Sequence, residues 1–219
     1  MTDEELEQRL ITIYQEREKG RAGAAAIWNA PPVRNYGIYF GRFNGESIFW
    51  LSTRSGQNEQ GRFYVDLITR DCICRMQFTE HYENAGWEKS SLRQWLNTDF
   101  FDQAFSQEEK QRILMNENYV TADNHRPIFH KSRYATEDIL CDGKGFGPLS
   151  DRVWLPDIEY YERYLSFEGT RKIETFWLRS TGFDKTRAAI VENGSVVPEG
   201  WVGHDMVEWG VRPCIRISL

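Results

Sequence analysis

The sequence predicts an α+β domain, and three observations carry that prediction. Two helix-capping signals follow one another in mid-chain, Ser91 with Gln94 and Ser106 with Glu109. Asn44-Gly45 and Asn193-Gly194 each separate two runs of β-forming residues, the strongest short-range hairpin signal a sequence carries. The stretch from about Thr175 to Leu219 alternates apolar and polar residues, the period of an antiparallel meander.

Taken in order, the chain opens with Thr2 and Glu5 as a capping box, continued by Leu6, Leu10, Ile13, Tyr14 and Arg17 at helical spacing. This helix ends near Gly20, and a Gly/Ala-rich connector runs to Pro31-Pro32. The expected organisation is therefore an N-terminal helix and connector over 1–35 and one domain over 36–219. The narrow apolar stripe of residues 1–19 suits packing on one surface: the helix packs on the domain, binds a second copy of the chain or simply trails, and a homo-oligomer contact, if one forms, is expected there. Tyr36 to Phe43 and Glu46 to Leu51 form a hairpin, and Arg62 to Thr69 is a strand running on through Ile73 to Phe78. Leu92, Trp95, Leu96 and Phe100 share one face of the first mid-chain helix, and the second leads into Ile113 and Leu114. Val153-Trp154-Leu155 reads as a buried strand, and Pro156-Asp157 opens a helix through Tyr160, Tyr161 and Tyr164. Strands follow at Phe176–Ser180, Arg187–Val191, Ser195–Val197 and Val207–Ile217.

Composition is that of a globular chain, 40% hydrophobic and 27% charged, in 219 residues. A formal charge of −6 and the lack of any Lys/Arg block exclude non-specific nucleic-acid binding, because no basic field meets the phosphates. The acidic start Met1-Thr2-Asp3-Glu4-Glu5 has no apolar core of a signal peptide, and no apolar run is long enough to span a bilayer. A cytoplasmic location without membrane attachment is expected, with Cys72, Cys74, Cys141 and Cys214 reduced. Cys72-Ile73-Cys74 has one intervening residue, which is neither zinc-knuckle nor redox spacing, so packing is the reading preferred over metal.

No catalytic motif, metal set or cofactor fingerprint is found. Gly143-Lys144-Gly145 lacks the rest of a phosphate loop, His125 and His130 are five apart with Pro127 between them, and no nucleophile elbow occurs. Arg179 and Arg212 stand among apolar strand residues, where a guanidinium must be paired. They read as an internal ion-pair network, with Asp151 or Glu159 as partners, or alternatively as an anion clamp. The densest polar and aromatic cluster is His204, Asp205 and Glu208 between Trp201 and Trp209, placed on a loop joining two strands.

Several stretches resemble a bacterial family of domains of unknown function common in Firmicutes. They are Trp87-Glu-Lys-Ser-Ser-Leu-Arg-Gln-Trp-Leu-Asn97, Trp177-Leu-Arg-Ser180 and Gly210-Val-Arg-Pro213, with Asp151-Arg-Val-Trp-Leu155 matching more loosely. The resemblance spans roughly residues 36–219 and implies a C-type-lectin-like fold, related to formylglycine-generating enzymes and to the variable proteins of diversity-generating retroelements. It makes Arg93, Trp95, Arg179 and Arg212 structural residues. The calcium-lectin motifs Glu-Pro-Asn and Trp-Asn-Asp are missing, and only Cys214 stands near the end of the domain, so neither calcium-dependent sugar binding nor formylglycine chemistry carries over.

In such a fold the exposed surface is made by the 181–187 and 198–209 loops. The expected ligand-binding residues are Phe183, Asp184, Lys185, Arg187, Trp201, His204, Asp205 and Trp209. The leading expectation is a non-enzymatic recognition module for a protein or glycan, with a retroelement-diversified protein as a special case. Two alternatives stand beside it: an enzyme or enzyme remnant using His204 with Asp205 or Glu208, and an assembly subunit joined through residues 1–19.

Overall fold

The computed structural model describes residues 37–58, 61–80, 86–118, 129–131, 138–140, 149–165, 174–182, 186–203 and 207–219. The N-terminal helix and connector, Cys141, the Gly143–Pro148 loop and His125 lie outside them, as do Phe183, Asp184, Lys185, His204 and Asp205.

The architecture is α+β: short helices beside mostly antiparallel strands. The Asn44-Gly45 turn joins β1 (Gly37–Phe43) to β2 (Glu46–Gln57), and both turn residues have positive φ, as a two-residue hairpin with matching twist requires. β3 (Phe63–Thr69) pairs with β2. Among the described residues the first sheet runs β1-β2-β3-β15-β10, where β15 is Cys214–Ser218 and β10 is Val153–Trp154; β5 (Ile113–Leu114) also pairs with β15. The second sheet runs β13-β12-β11-β14-β4, built from Ser195–Trp201, Arg187–Glu192, Phe176–Thr181, Trp209–Val211 and Cys74–Met76. Two small ladders complete the set: β6 (Asn116–Asn118) with β9 (Leu149–Asp151), and β7 (Phe129–Lys131) with β8 (Asp138–Leu140).

Two sequence expectations are corrected here. The closing third is not a single meander: β11, β12 and β13 form consecutive antiparallel hairpins, but β14 pairs parallel to β11, and β15 leaves for the first sheet. Likewise the strands expected over 62–78 and 207–217 are each broken. The two chain segments run antiparallel to one another throughout, as β3 with β15 in the first sheet and β4 with β14 in the second. Both kink at the same level, where the Thr69 amide donates to the Pro213 carbonyl (3.0 Å) and the Ile73 amide to the Val211 carbonyl (2.9 Å). This bent ribbon links the two sheets.

The helices fill the space beside the first sheet. α1 (Ser91–Trp95) continues through a π-helical turn, Leu96–Phe100, into α2 (Phe101–Ala104); α3 (Gln107–Arg112) follows. The first cap is Ser90, not Ser91: its Oγ accepts from the Arg93 amide at 3.1 Å, while Ser91 Oγ accepts from the Glu80 amide. The Ser106–Glu109 capping box forms as expected, and the second Glu109 oxygen accepts from the Gly41 amide at 2.8 Å, tying α3 to the bulge in β1. Gly41 is needed there. Its φ is +73°, and a Cβ would lie 2.7 Å from the Ala104 carbonyl oxygen. α4 (Ile158–Tyr160) is capped by Asp157, whose Oδ1 accepts from the Tyr160 amide at 2.7 Å.

A shared core lies among these elements, with Trp50, Trp154, Trp177, Phe78, Phe100 and Phe176 almost wholly buried. Two of these indoles keep a backbone partner, Trp50 on the Phe40 carbonyl and Trp177 on the Met76 carbonyl, so both rings are buried without losing a hydrogen bond. Asp66, 1% exposed, accepts from both Arg216 and Arg54. Burial of that carboxylate is tolerable only because two guanidiniums meet it.

Candidate functional site

The arginines singled out from the sequence are braces, with partners other than those expected. Asp151 does not serve Arg179 or Arg212. Its carboxylate accepts from Arg93 Nε (2.7 Å) and from Trp87 Nε1 (2.9 Å). Glu159 pairs instead with Arg163, one turn along. Arg179 is held by Asp157, the α4 cap, and its amide donates to the Pro156 carbonyl, so it fastens β11 to the segment before α4.

Arg212 is fully buried and makes no ion pair among the described residues. Its Nε and Nη2 both donate to the Thr69 carbonyl, at 3.1 and 2.8 Å, and its guanidinium lies over the Phe176 ring. The reason lies in the next residue. Thr69 and Pro213 face each other across the ribbon, and an ordinary residue at 213 would return an N–H to the Thr69 carbonyl. Proline has none to give. The guanidinium supplies the missing donors at the kink, at the cost of its own desolvation, which lowers its pKa. Trp95 is half-buried, edge-on to Phe43 and against Phe100.

Of the expected ligand-binding residues, Arg187, Trp201 and Trp209 are described, and they do not form one cluster. Arg187 and Trp201 face each other in register across β12 and β13, and the guanidinium carbon stacks 3.3 Å from the indole centroid. Trp201 is 39% exposed, a large apolar ring open to solvent. Trp209 is elsewhere. Two strands, β12 and β11, separate β13 from β14, and β14 starts beside Thr175 and Phe176, whereas β13 ends level with Arg187 and Gly182. Trp201 and Trp209 thus stand at opposite ends of the second sheet, about 20 Å apart along the strands from a rise of ~3.3 Å per residue. Trp209 is half-buried against the core, in register with Met76. Glu208, exposed, lies at that far end, where its carbonyl accepts from Arg75.

The fold also forms a concavity that the sequence does not announce. It is a trough of about 380 Å³ beside α1, lined by Glu88, Lys89, Arg93, Gln94, Asn97, Met115 and Arg152 among others. Asn97 fixes its floor: its amide donates to the Arg93 and Val153 carbonyls and its oxygen accepts from the Arg152 and Val153 amides. Ser90, Arg93, Gln94 and Asn97 share a helix face by their spacing, a signal the sequence does hold. Asp151 and Arg152 arrive only through the fold, more than fifty residues on.

The three described thiols all sit where burial favours the protonated form. Burial pushes Cys72 and Cys74 up to about 12, with Glu174 adding to the first and Glu208 to the second, and burial holds Cys214 well above its ordinary range. A thiol that stays protonated at neutral pH is a poor nucleophile and metal ligand. Among the described residues no group of three or more His, Cys, Asp or Glu converges as a metal set, and no helix is long and apolar enough to cross a membrane.

No curated protein and no solved structure matches this chain. A family model, that of a domain of unknown function (DUF6273), matches residues 65–219, which takes in the bent ribbon from β3 onward, the braced arginines and the trough. Matched over well more than half its length, the chain belongs to the DUF6273 family.

Proposed function

We propose that this domain is a non-enzymatic recognition module whose contact surface is the end of the second sheet around Trp201 and Arg187. One observation carries the reading: a solvent-open indole held flat by a stacked guanidinium, on a rigid strand next to a connecting loop. A ring fixed in this way loses little conformational entropy on binding. It offers the ring face away from Arg187 to the C–H faces of a sugar or to an aliphatic side chain, with the guanidinium stacked behind it. Phe183, Asp184, Lys185, His204 and Asp205, expected from the sequence to share this surface, lie outside the described residues. The C-type-lectin-like assignment is part of it, supported by helices preceding consecutive hairpins and by the closing Gly210-Val-Arg-Pro213. The ligand is a protein or glycan.

The test is a glycan array and a panel of purified candidate proteins, probed with the wild-type chain and with Trp201→Ala and Arg187→Ala. Both residues are at a strand end, so thermal midpoints should stay within a few degrees. A ligand captured by the wild type should be lost by Trp201→Ala. Capture that survives that substitution would place the contact surface elsewhere.

A further inference from the structure

We infer that the trough beside α1 binds a singly charged carboxylate carried on a short aliphatic stem, at a site separate from the Trp201 surface. The first ground is charge. The chain carries −6 overall, yet the trough gathers Lys89, Arg93 and Arg152 against Glu88 and Asp151, a local balance of +1. A monoanion brings it to neutrality. A phosphate dianion would overshoot and meet Glu88. A positive island in a negative molecule focuses its field on the concavity and not on the surroundings.

The second ground is hydrogen-bonding capacity. Asp151 is engaged by Arg93 and Trp87 at the base of the trough, which leaves Arg93 fixed and not searching for a partner. Arg93 uses Nε on Asp151 and Nη1 on the Glu88 carbonyl, and Nη2 has no partner among the described residues, on a side chain still 23% exposed. A preformed guanidinium edge directed by a buried carboxylate suits an incoming carboxylate oxygen, and charge-assisted bonds of this type are the strong ones. The third ground is apolar. Met115 is 50% exposed, one of three large hydrophobic residues so placed among the described residues, and it forms a wall of this trough. A flexible thioether beside a cationic site fits methylene groups next to the charged head.

The carboxylate has two sources, a free short-chain acid or a glutamate side chain of a peptide. Butanoate and an acetylated, amidated Gly-Glu-Gly peptide are titrated into the full chain by calorimetry at matched ionic strength. Butyramide and the Gly-Gln-Gly peptide serve as neutral isosteres. The acids should bind saturably and the amides should not. Lys89→Glu, exposed and outside the Arg93–Asp151–Asn97 network, should weaken binding at least tenfold with an unchanged thermal midpoint, and Met115→Ala should weaken it several-fold. A tenfold preference for the peptide assigns the trough to an acidic segment, and equal affinity assigns it to the free anion. Amides binding as well as acids, Lys89→Glu binding as wild type, or no saturable binding of either acid would overturn the inference. None of these results bears on Trp201.

Discussion

Arg212 illustrates how a buried charge can be tolerated without a counter-charge. Its two bonds to the Thr69 carbonyl replace the one that Pro213 is unable to donate, so its role is set by its neighbour in sequence and not by an anion. Arg212→Met keeps most of the packing over Phe176 but strips the Thr69 carbonyl of its donors, and should cost about 1–3 kcal/mol. Pro213→Ala restores an amide N–H at that position. In the Pro213→Ala background the Arg212→Met penalty should therefore shrink by about 1 kcal/mol or more, a coupling read from urea midpoints in a double-mutant cycle. Strict additivity would show that the guanidinium does something other than stand in for the missing amide. Both arginines are legible in the sequence as internal residues, but their partners are neither Asp151 nor Glu159. A pairing partner is a tertiary fact: Asp157 and Asp151 are near neighbours in sequence but serve Arg179 and Arg93 respectively.

At the level of elements, what could be read early was whatever local chemistry decides. The Asn44-Gly45 and Asn193-Gly194 turns both form, with all four residues at positive φ, and the Ser106–Glu109 box closes as the spacing requires. The Ser90 cap was misplaced by one residue because two serines stand side by side and either satisfies the pattern. The sequence pattern makes 62–78 and 207–217 continuous strands because periodicity is blind to a kink that passes a strand from one sheet to another. Pro213 was the available sign, since a proline removes a ladder donor and marks an edge or a break. Glu109 offers a test of how elements are joined. Ser106→Ala removes one capping bond and should cost about 1 kcal/mol. Glu109→Ala removes the reciprocal bond and also leaves the Gly41 amide without its acceptor, so it should cost more, about 2 kcal/mol. Equal losses in chemical denaturation would mean that the link to β1 contributes nothing.

For the whole molecule, the segment matched by the family begins inside β3, yet the sheet to which β3 belongs starts at Gly37. β1 and β2 contribute Phe40, Ile48 and Trp50 to the core and cover one edge of β3. A fragment of residues 65–219 should therefore give a poorly dispersed NMR spectrum and bind a hydrophobic dye, while residues 37–219 should give a dispersed one. A well-folded short fragment would make the first hairpin an accessory. The α+β class was legible from the sequence because capped helices and alternating strands announce themselves locally. The separation of Trp201 from Trp209 was not, since eight residues of chain can either turn back on themselves or run the length of a sheet.

β15 lies inside the first sheet, flanked by β3 on one side and by β10 and β5 on the other. Among the described strands it is also the one that leaves the ribosome last. Until it emerges, β3 and β10 have no mutual neighbour, and the pairing of Ser218 with Tyr64 must close a loop that holds nearly the entire domain. Closing such a loop late is slow, and the wait is spent with a long hydrophobic strand edge uncovered. In the nascent chain the interval just before β15 docks is thus the one in which the edge of β3 is most exposed to aggregation.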